Sequence, residues 1–200
     1  MKKKVLPVIV AILLILVIGG CALGKVLLDK YSYSKEEADW NEFYQVSEND
    51  RSAIILQNEM VAEQALIKDG VCYFDLTTVH KYMNEVFYAD MTENLLLYAT
   101  PTEVIRTTFG ETAYTTTEGT QEAGYVISFA DGDNVYVAAD YVKLFTNYSY
   151  DCYDRHVQVR TEWGTRQVAQ LKKDTAVRLR GGVKSPILTQ AVKGDTLEIL

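Results

Sequence analysis

Hydrophobic and polar positions change rhythm three times along the chain. Residues 5–24, VLPVIVAILLILVIGGCALG, carry no charge and lie between Lys2-Lys3-Lys4 and Lys25. Twenty helical residues span about 30 Å, the thickness of a bilayer's hydrocarbon core, so this run predicts an N-terminal transmembrane helix. Basic flanks resist translocation, which predicts a single-pass protein of the cytoplasmic membrane with its C-terminal bulk extracytoplasmic. From Ser52 the pattern turns to brief β-branched and aromatic runs: Ser52–Gln57, Val71–Phe74, Asn94–Ala99, Glu103–Thr107, Val126–Phe129 and Val157–Thr161. Turn clusters such as Lys68-Asp-Gly70 and Asp131-Gly-Asp-Asn134 separate them, which predicts short strands.

Two stretches break into three- and four-residue spacing and predict helices: Leu76, Val79, Met83 and Val86, then Ala138, Tyr141, Val142 and Phe145. Asp75 is placed to cap the first. The two lie in matching surroundings, with Tyr73 and Val79 answered by Tyr136 and Val142, 63 residues on in each case. Asn84 and Asn147 stand at the two helix exits, where Asn tolerates a left-handed cap. The pattern predicts an internal duplication of a strand–strand–helix–strand unit, the halves sharing one core. Before it, Tyr31–Tyr44 (YSYSKEEADWNEFY) sets Ser34 three residues ahead of Glu37, a capping-box spacing for a juxtamembrane helix with Trp40 and Tyr44 on one face.

Charge follows the same divisions. The chain of 200 residues has a formal net charge of −7. Residues 1–28 carry four Lys and no acid; residues 29–162 carry 9 basic and 24 acidic side chains; residues 163–200 carry 7 and 3. An acidic body argues against nucleic acid as a partner. The cysteines are Cys21, Cys72 and Cys152. Whether Cys72 and Cys152 pair is left open by their spacing. No metal-site spacing occurs, and no cofactor is expected.

Several stretches resemble known modules. Ile18-Gly19-Gly20-Cys21 resembles the bacterial lipobox, which gives an alternative to the signal anchor: a lipoprotein on the outer face, lipidated at Cys21. The plan of strand, Asp-Gly turn, strand, short helix ending in Asn and two strands, given twice over residues 52–163, resembles the copper amine oxidase N-terminal-like domain. That name does not imply copper. The proline-rich lead into each helix is replaced here by Phe74-Asp75 and Val137-Ala138. Residues 175–200, with Val177–Arg180, Gly181-Gly182 and Lys193-Gly-Asp195, resemble the opening of bacterial SH3-like domains and stop mid-strand, as though continued in a longer protein.

The whole order resembles the N-terminal region of membrane-anchored family 18 glycoside hydrolases of clostridia. It implies an α+β, β-rich fold: residues 1–28 as anchor, 29–51 as juxtamembrane helix and linker, 52–163 as the duplicated β-β-α-β domain, and 164–200 as a truncated SH3-like β-barrel. That family catalyses through D-x-x-D-x-D-x-E, whose last Glu is the general acid. Asp131-Gly-Asp133 and Asp151-Cys-Tyr-Asp154 are the nearest acidic clusters, and neither reaches the Glu, so no catalytic residue is assigned. The expected role is to position or target a chitinase-like hydrolase of N-acetylglucosamine-containing glycans at the cell wall; a stand-alone wall-binding or structural protein is the alternative. Tyr148, Tyr150, Tyr153 and Trp163 are the candidate glycan contacts, whereas Tyr73, Tyr98, Tyr136 and Tyr141 fall on core positions. The basic residues Lys172, Lys173, Arg178, Arg180 and Lys184 suit an anionic wall polymer or a solvated face.

Overall fold

The computed structural model describes residues 5–161 and 168–198, with side chains over 13–161 and 168–197. The chain divides into two compact units, one formed by residues 1–39 with 166–200 and the other by Trp40–Thr165. The first helix, α1 (Val5–Tyr31), corrects the membrane expectation: among the described residues no helix is long and apolar enough to cross a membrane. Its last two turns carry Lys25, Asp29 and Lys30. The predicted transmembrane helix, signal anchor and single-pass localisation are withdrawn on that finding. Cys21, the lipidation candidate, sits exposed within α1, and the helix continues past it to Tyr31.

The expected helix over 31–44 contracts to α2 (Trp40–Tyr44). The Ser34 hydroxyl accepts from the Glu36 amide at 3.1 Å instead of capping a helix through Glu37. After α2, β1 (Arg51–Leu56) turns through Gln57 and Asn58 (φ 50° and 71°) into β2 (Glu59–Lys68). Asp69 and Gly70 (φ 52° and 79°) then turn β2 into β3 (Val71–Asp75). Both pairs have the positive φ at two central residues that fits a hairpin to the natural strand twist. Next come α3 (Leu76–Tyr82), then an antiparallel meander of β4 (Phe87–Asp90), β5 (Leu95–Ala99), β6 (Val104–Thr108), β7 (Ala113–Thr116) and β8 (Gly119–Glu122). The chain returns through β9 (Ser128–Asp131), β10 (Asn134–Ala138), α4 (Ala139–Phe145), β11 (Ser149–Cys152) and β12 (His156–Arg160).

These strands form a seven-stranded sheet, order β11-β12-β1-β2-β3-β10-β9, and the separate five-stranded meander. The strands β3 and β10 begin at Val71 and Asn134, and the helices α3 and α4 at Leu76 and Ala139, a displacement of 63 residues each time. β3 and β10 lie antiparallel with Phe74 opposite Val137, flanked by Tyr73↔Ala138 and Asp75↔Tyr136. Phe74 and Val137 are themselves 63 apart, so a local two-fold axis runs through that pair. Each side chain is fully buried at the axis. The halves then diverge: β4 and β5 enter the meander, whereas β12 pairs in parallel with β1.

Asp75 caps α3 as its position implied, Oδ1 accepting from the Thr78 amide at 2.9 Å. The helix ends at Tyr82, short of Val86, and neither Asn84 nor Asn147 adopts a positive φ. Instead the Asn84 side-chain amide donates to Thr146 Oγ1 at 2.9 Å and to the Phe145 carbonyl at 3.3 Å, tying one helix exit to the other. The meander joins the core through rings: Tyr98 stacks on Phe145 with centroids 4.4 Å apart, and Tyr114 meets Tyr141 edge-on at 5.3 Å.

The other unit holds α1 and two strand pairs. β13 (Val168–Gln170) pairs with β16 (Thr196–Glu198), and β14 (Thr175–Arg178) with β15 (Ile187–Ala191). Gly182 and Gly194 have φ of 121° and 100°, in turns that only glycine enters without strain. The segment just after α1 adds to this unit as an extended strap. The Ser34 amide donates to the Val183 carbonyl and the Ala38 amide to the Ile187 carbonyl, both at 2.7 Å, and the Ile187 amide returns a bond to the Glu36 carbonyl. Arg178 fastens it, donating to the carbonyls of Ser34 (3.0 Å) and Ser185 (2.5 Å) with its guanidinium 5.3 Å from the Tyr33 ring centre.

Candidate functional site

The parallel pairing of β1 with β12 sets Ala53 opposite His156, at the start of β12. α2, a few residues ahead of β1, brings Tyr44 onto one face of that histidine, with ring centres 4.8 Å apart and planes at 22°. The β11–β12 turn, closed by the Tyr153 amide donating to the His156 carbonyl at 2.8 Å, brings Tyr153 onto the other face at 4.6 Å and 15°. Phe43 meets Tyr44 edge-on at 4.8 Å and extends the row. The result is a ladder of rings, Tyr153–His156–Tyr44–Phe43. Its outer members are the open ones: Tyr153 is 53 % exposed and Phe43 38 %.

The imidazole is apolar in its surroundings. Its Nδ1 is buried without a hydrogen-bond partner, and burial pushes its pKa below the usual histidine value. A neutral ring therefore suits this position, because a charged one would lose hydration without gaining a partner. Burial likewise raises the Tyr44 pKa. Exposed Asp151 and Asp154 flank Tyr153 in sequence, and Asp151 Oδ2 accepts from Arg160 Nη1 at 2.6 Å. A half-exposed ring offers an apolar face, and the carboxylates near it in sequence are hydrogen-bond acceptors.

The candidate glycan residues separate accordingly. Tyr148 is 2 % exposed and its hydroxyl donates to the Ala139 carbonyl, so burial removes it as a contact. Tyr150 is half-buried against Phe74, and its hydroxyl is held up in pKa by burial and by Asp140. Tyr153 is open. Trp163 lies outside the described residues. Phe43, Tyr44 and His156 are the members not named as glycan contacts from the sequence: 112 residues separate Tyr44 from His156, and the β1–β12 pairing unites them. The Phe43–Tyr44 adjacency and the short Tyr153–His156 spacing were the available signals. The other histidine, His80, donates through Nε2 to the Phe87 carbonyl at 2.7 Å and joins α3 to β4.

A concavity of about 520 Å³ lies beside the β2–β3 turn and β9. Its cations are already engaged. Lys68 Nζ sits 4.4 Å from the Phe129 ring centre, and Arg51 Nη1 donates to the Tyr136 hydroxyl at 2.9 Å. Among the described residues no group of three or more His, Cys, Asp or Glu side chains could hold a metal. The acidic turn Asp131-Gly-Asp133 is exposed, as are Asp151 and Asp154. Of the basic residues weighed for an anionic polymer, Arg178 is occupied by the strap, and Lys184 Nζ donates to Ser32 Oγ at 3.2 Å. No family model matches the chain, and no curated protein or solved structure is detectably similar to it.

Proposed function

We propose that the chain is a non-catalytic glycan-recognition region that positions a chitinase-like, family 18 glycoside hydrolase on N-acetylglucosamine-containing wall glycan. The observation that carries this reading is the half-exposed Tyr153 ring, backed by His156 and Tyr44. A pyranose presents a face of C–H groups that suits an aromatic plane, while its hydroxyls suit neighbouring carboxylates. Backing by two further rings holds Tyr153 in place, so less side-chain freedom remains to be lost on binding.

The test is a titration of the full chain with chitin oligosaccharides, and a pull-down on chitin and on peptidoglycan at low salt. Saturable binding is expected, with Tyr153→Ala weakening it at least tenfold while the thermal midpoint stays within a few degrees. Absence of retention on both polymers would sink the reading. So would binding that Tyr153→Ala leaves unchanged.

A further inference from the structure

In the seven-stranded sheet β11 and β3 are separated by β12, β1 and β2. A flat sheet would hold them about 19 Å apart, four steps of roughly 4.8 Å. Yet the rings of Phe74 on β3 and Tyr150 on β11 meet edge-on with centres 6.4 Å apart. The sheet therefore curls until these two strands face one another. Three of the four pairings that link β3, β2, β1, β12 and β11 are antiparallel and one, β1 with β12, is parallel, so β3 and β11 run antiparallel. Two residues back from Phe74 is Cys72, and two residues on from Tyr150 is Cys152. Side chains two apart on a strand share a face, so the register that joins the rings also sets one cysteine against the other. The two thiols are near enough to perturb one another's ionisation. Cys72 is 4 % exposed and Cys152 is open to solvent.

We infer that Cys72 and Cys152 are an oxidisable pair that closes into a disulfide between β3 and β11 on meeting a low-molecular-weight disulfide such as oxidised glutathione. In the first step the Cys152 thiolate attacks one sulfur of glutathione disulfide. The external S–S bond breaks, and one glutathione thiolate leaves and takes up a proton. In the second, Cys72 gives up its proton and attacks Cys152 Sγ in the mixed disulfide, displacing the second glutathione. Two protein thiols are oxidised and one external disulfide is reduced to two thiols.

The order of attack follows from the surroundings. The interaction with Cys152, together with burial, pushes the Cys72 thiol up, and that same interaction lowers the thiol of Cys152. The exposed thiol is thus also the better-ionised one, as an entering nucleophile requires. The bond would close a loop of about eighty residues and anchor the strand that runs directly into Tyr153. It stands independently of what that ring binds.

The experiment equilibrates the full chain with a glutathione redox buffer, counts free thiols under denaturing conditions and maps peptides without reduction. Expected are the loss of two of the three thiols, a linked pair of peptides carrying Cys72 and Cys152, and a thermal midpoint about 10 °C above that of the reduced chain. Cys152→Ser, a change at an exposed position, should leave both remaining thiols free. Persistence of all three thiols would overturn the inference, as would stable glutathione adducts on Cys152 or a bond linking Cys21.

Discussion

At the scale of single residues, His156 carries the clearest consequence. Enclosed by Tyr44 and Tyr153, it is held neutral, its folded-state pKa below the value of about 6.5 that it regains in the unfolded chain. As the pH falls below 6.5 the unfolded chain binds the proton first. The unfolded state therefore holds more protons across that window, and stability falls with pH. The contribution is fully present above pH 6.5 and is lost as the pH drops through the folded-state value. Urea unfolding at steps between pH 7.5 and 5 should show this decline in the wild-type chain and a shallower one in His156→Gln, which cannot titrate. Equal slopes in the two would mean that the imidazole is not desolvated by its neighbours.

At the scale of elements, the two short helices are specified differently, one by its cap and one by burial. α3 begins on Asp75, whose Oδ1 and Oδ2 accept from the amide and hydroxyl of Thr78 at 2.9 and 2.5 Å. Asp75→Ala should cost about 1 kcal/mol, the usual worth of such a cap, measured by urea unfolding, and Asp75→Ser should recover most of it. α4 starts at Ala138 without a side-chain cap and relies on burial of Ala139, Tyr141 and Val142. Both helices and the cap were legible because their periodicity and turn residues are local. The β2 strand was not: EMVAEQALIK is rich in helix formers, and pairing with β1 and β3 on its two sides overrides that propensity. β7 and β8 escaped notice because AYTT and GTQE alternate little, and β8 is exposed throughout. The ring ladder was half legible. Tyr153 stands out as an aromatic in an acidic turn, while its backing by Tyr44 depends on a parallel pairing between the two ends of the domain, which no local pattern encodes.

For the whole molecule, the strap at residues 32–39 changes what the order of segments means. It reads as a linker between a helix and a domain, but its backbone pairs with residues about 150 positions later. The unit it completes is therefore built from both ends of the chain, with the duplicated β-rich unit inserted in sequence between them. Arg178 is the clasp. A hydrogen bond to a charged donor is worth about 1.5–3 kcal/mol, and Arg178 makes one to the strap, at Ser34, and one to the loop it crosses, at Ser185. Its guanidinium over Tyr33 adds about 0.5–1 kcal/mol. Removal should therefore release the strap locally while the β14–β15 pairing remains. In hydrogen exchange followed by mass spectrometry, Arg178→Ala should speed exchange at the amides of Ser34 and Ala38 by about tenfold or more, since each 1.4 kcal/mol is a factor of ten. Arg178→Lys keeps the charge but not the planar fork that reaches two carbonyls at once, and should fall between the two. Unchanged exchange at Ser34 and Ala38 in the Ala variant would show that the backbone ladder holds the strap without the guanidinium. Faster exchange throughout β14 and β15 as well would make Arg178 a support of the whole unit instead of a clasp on one segment.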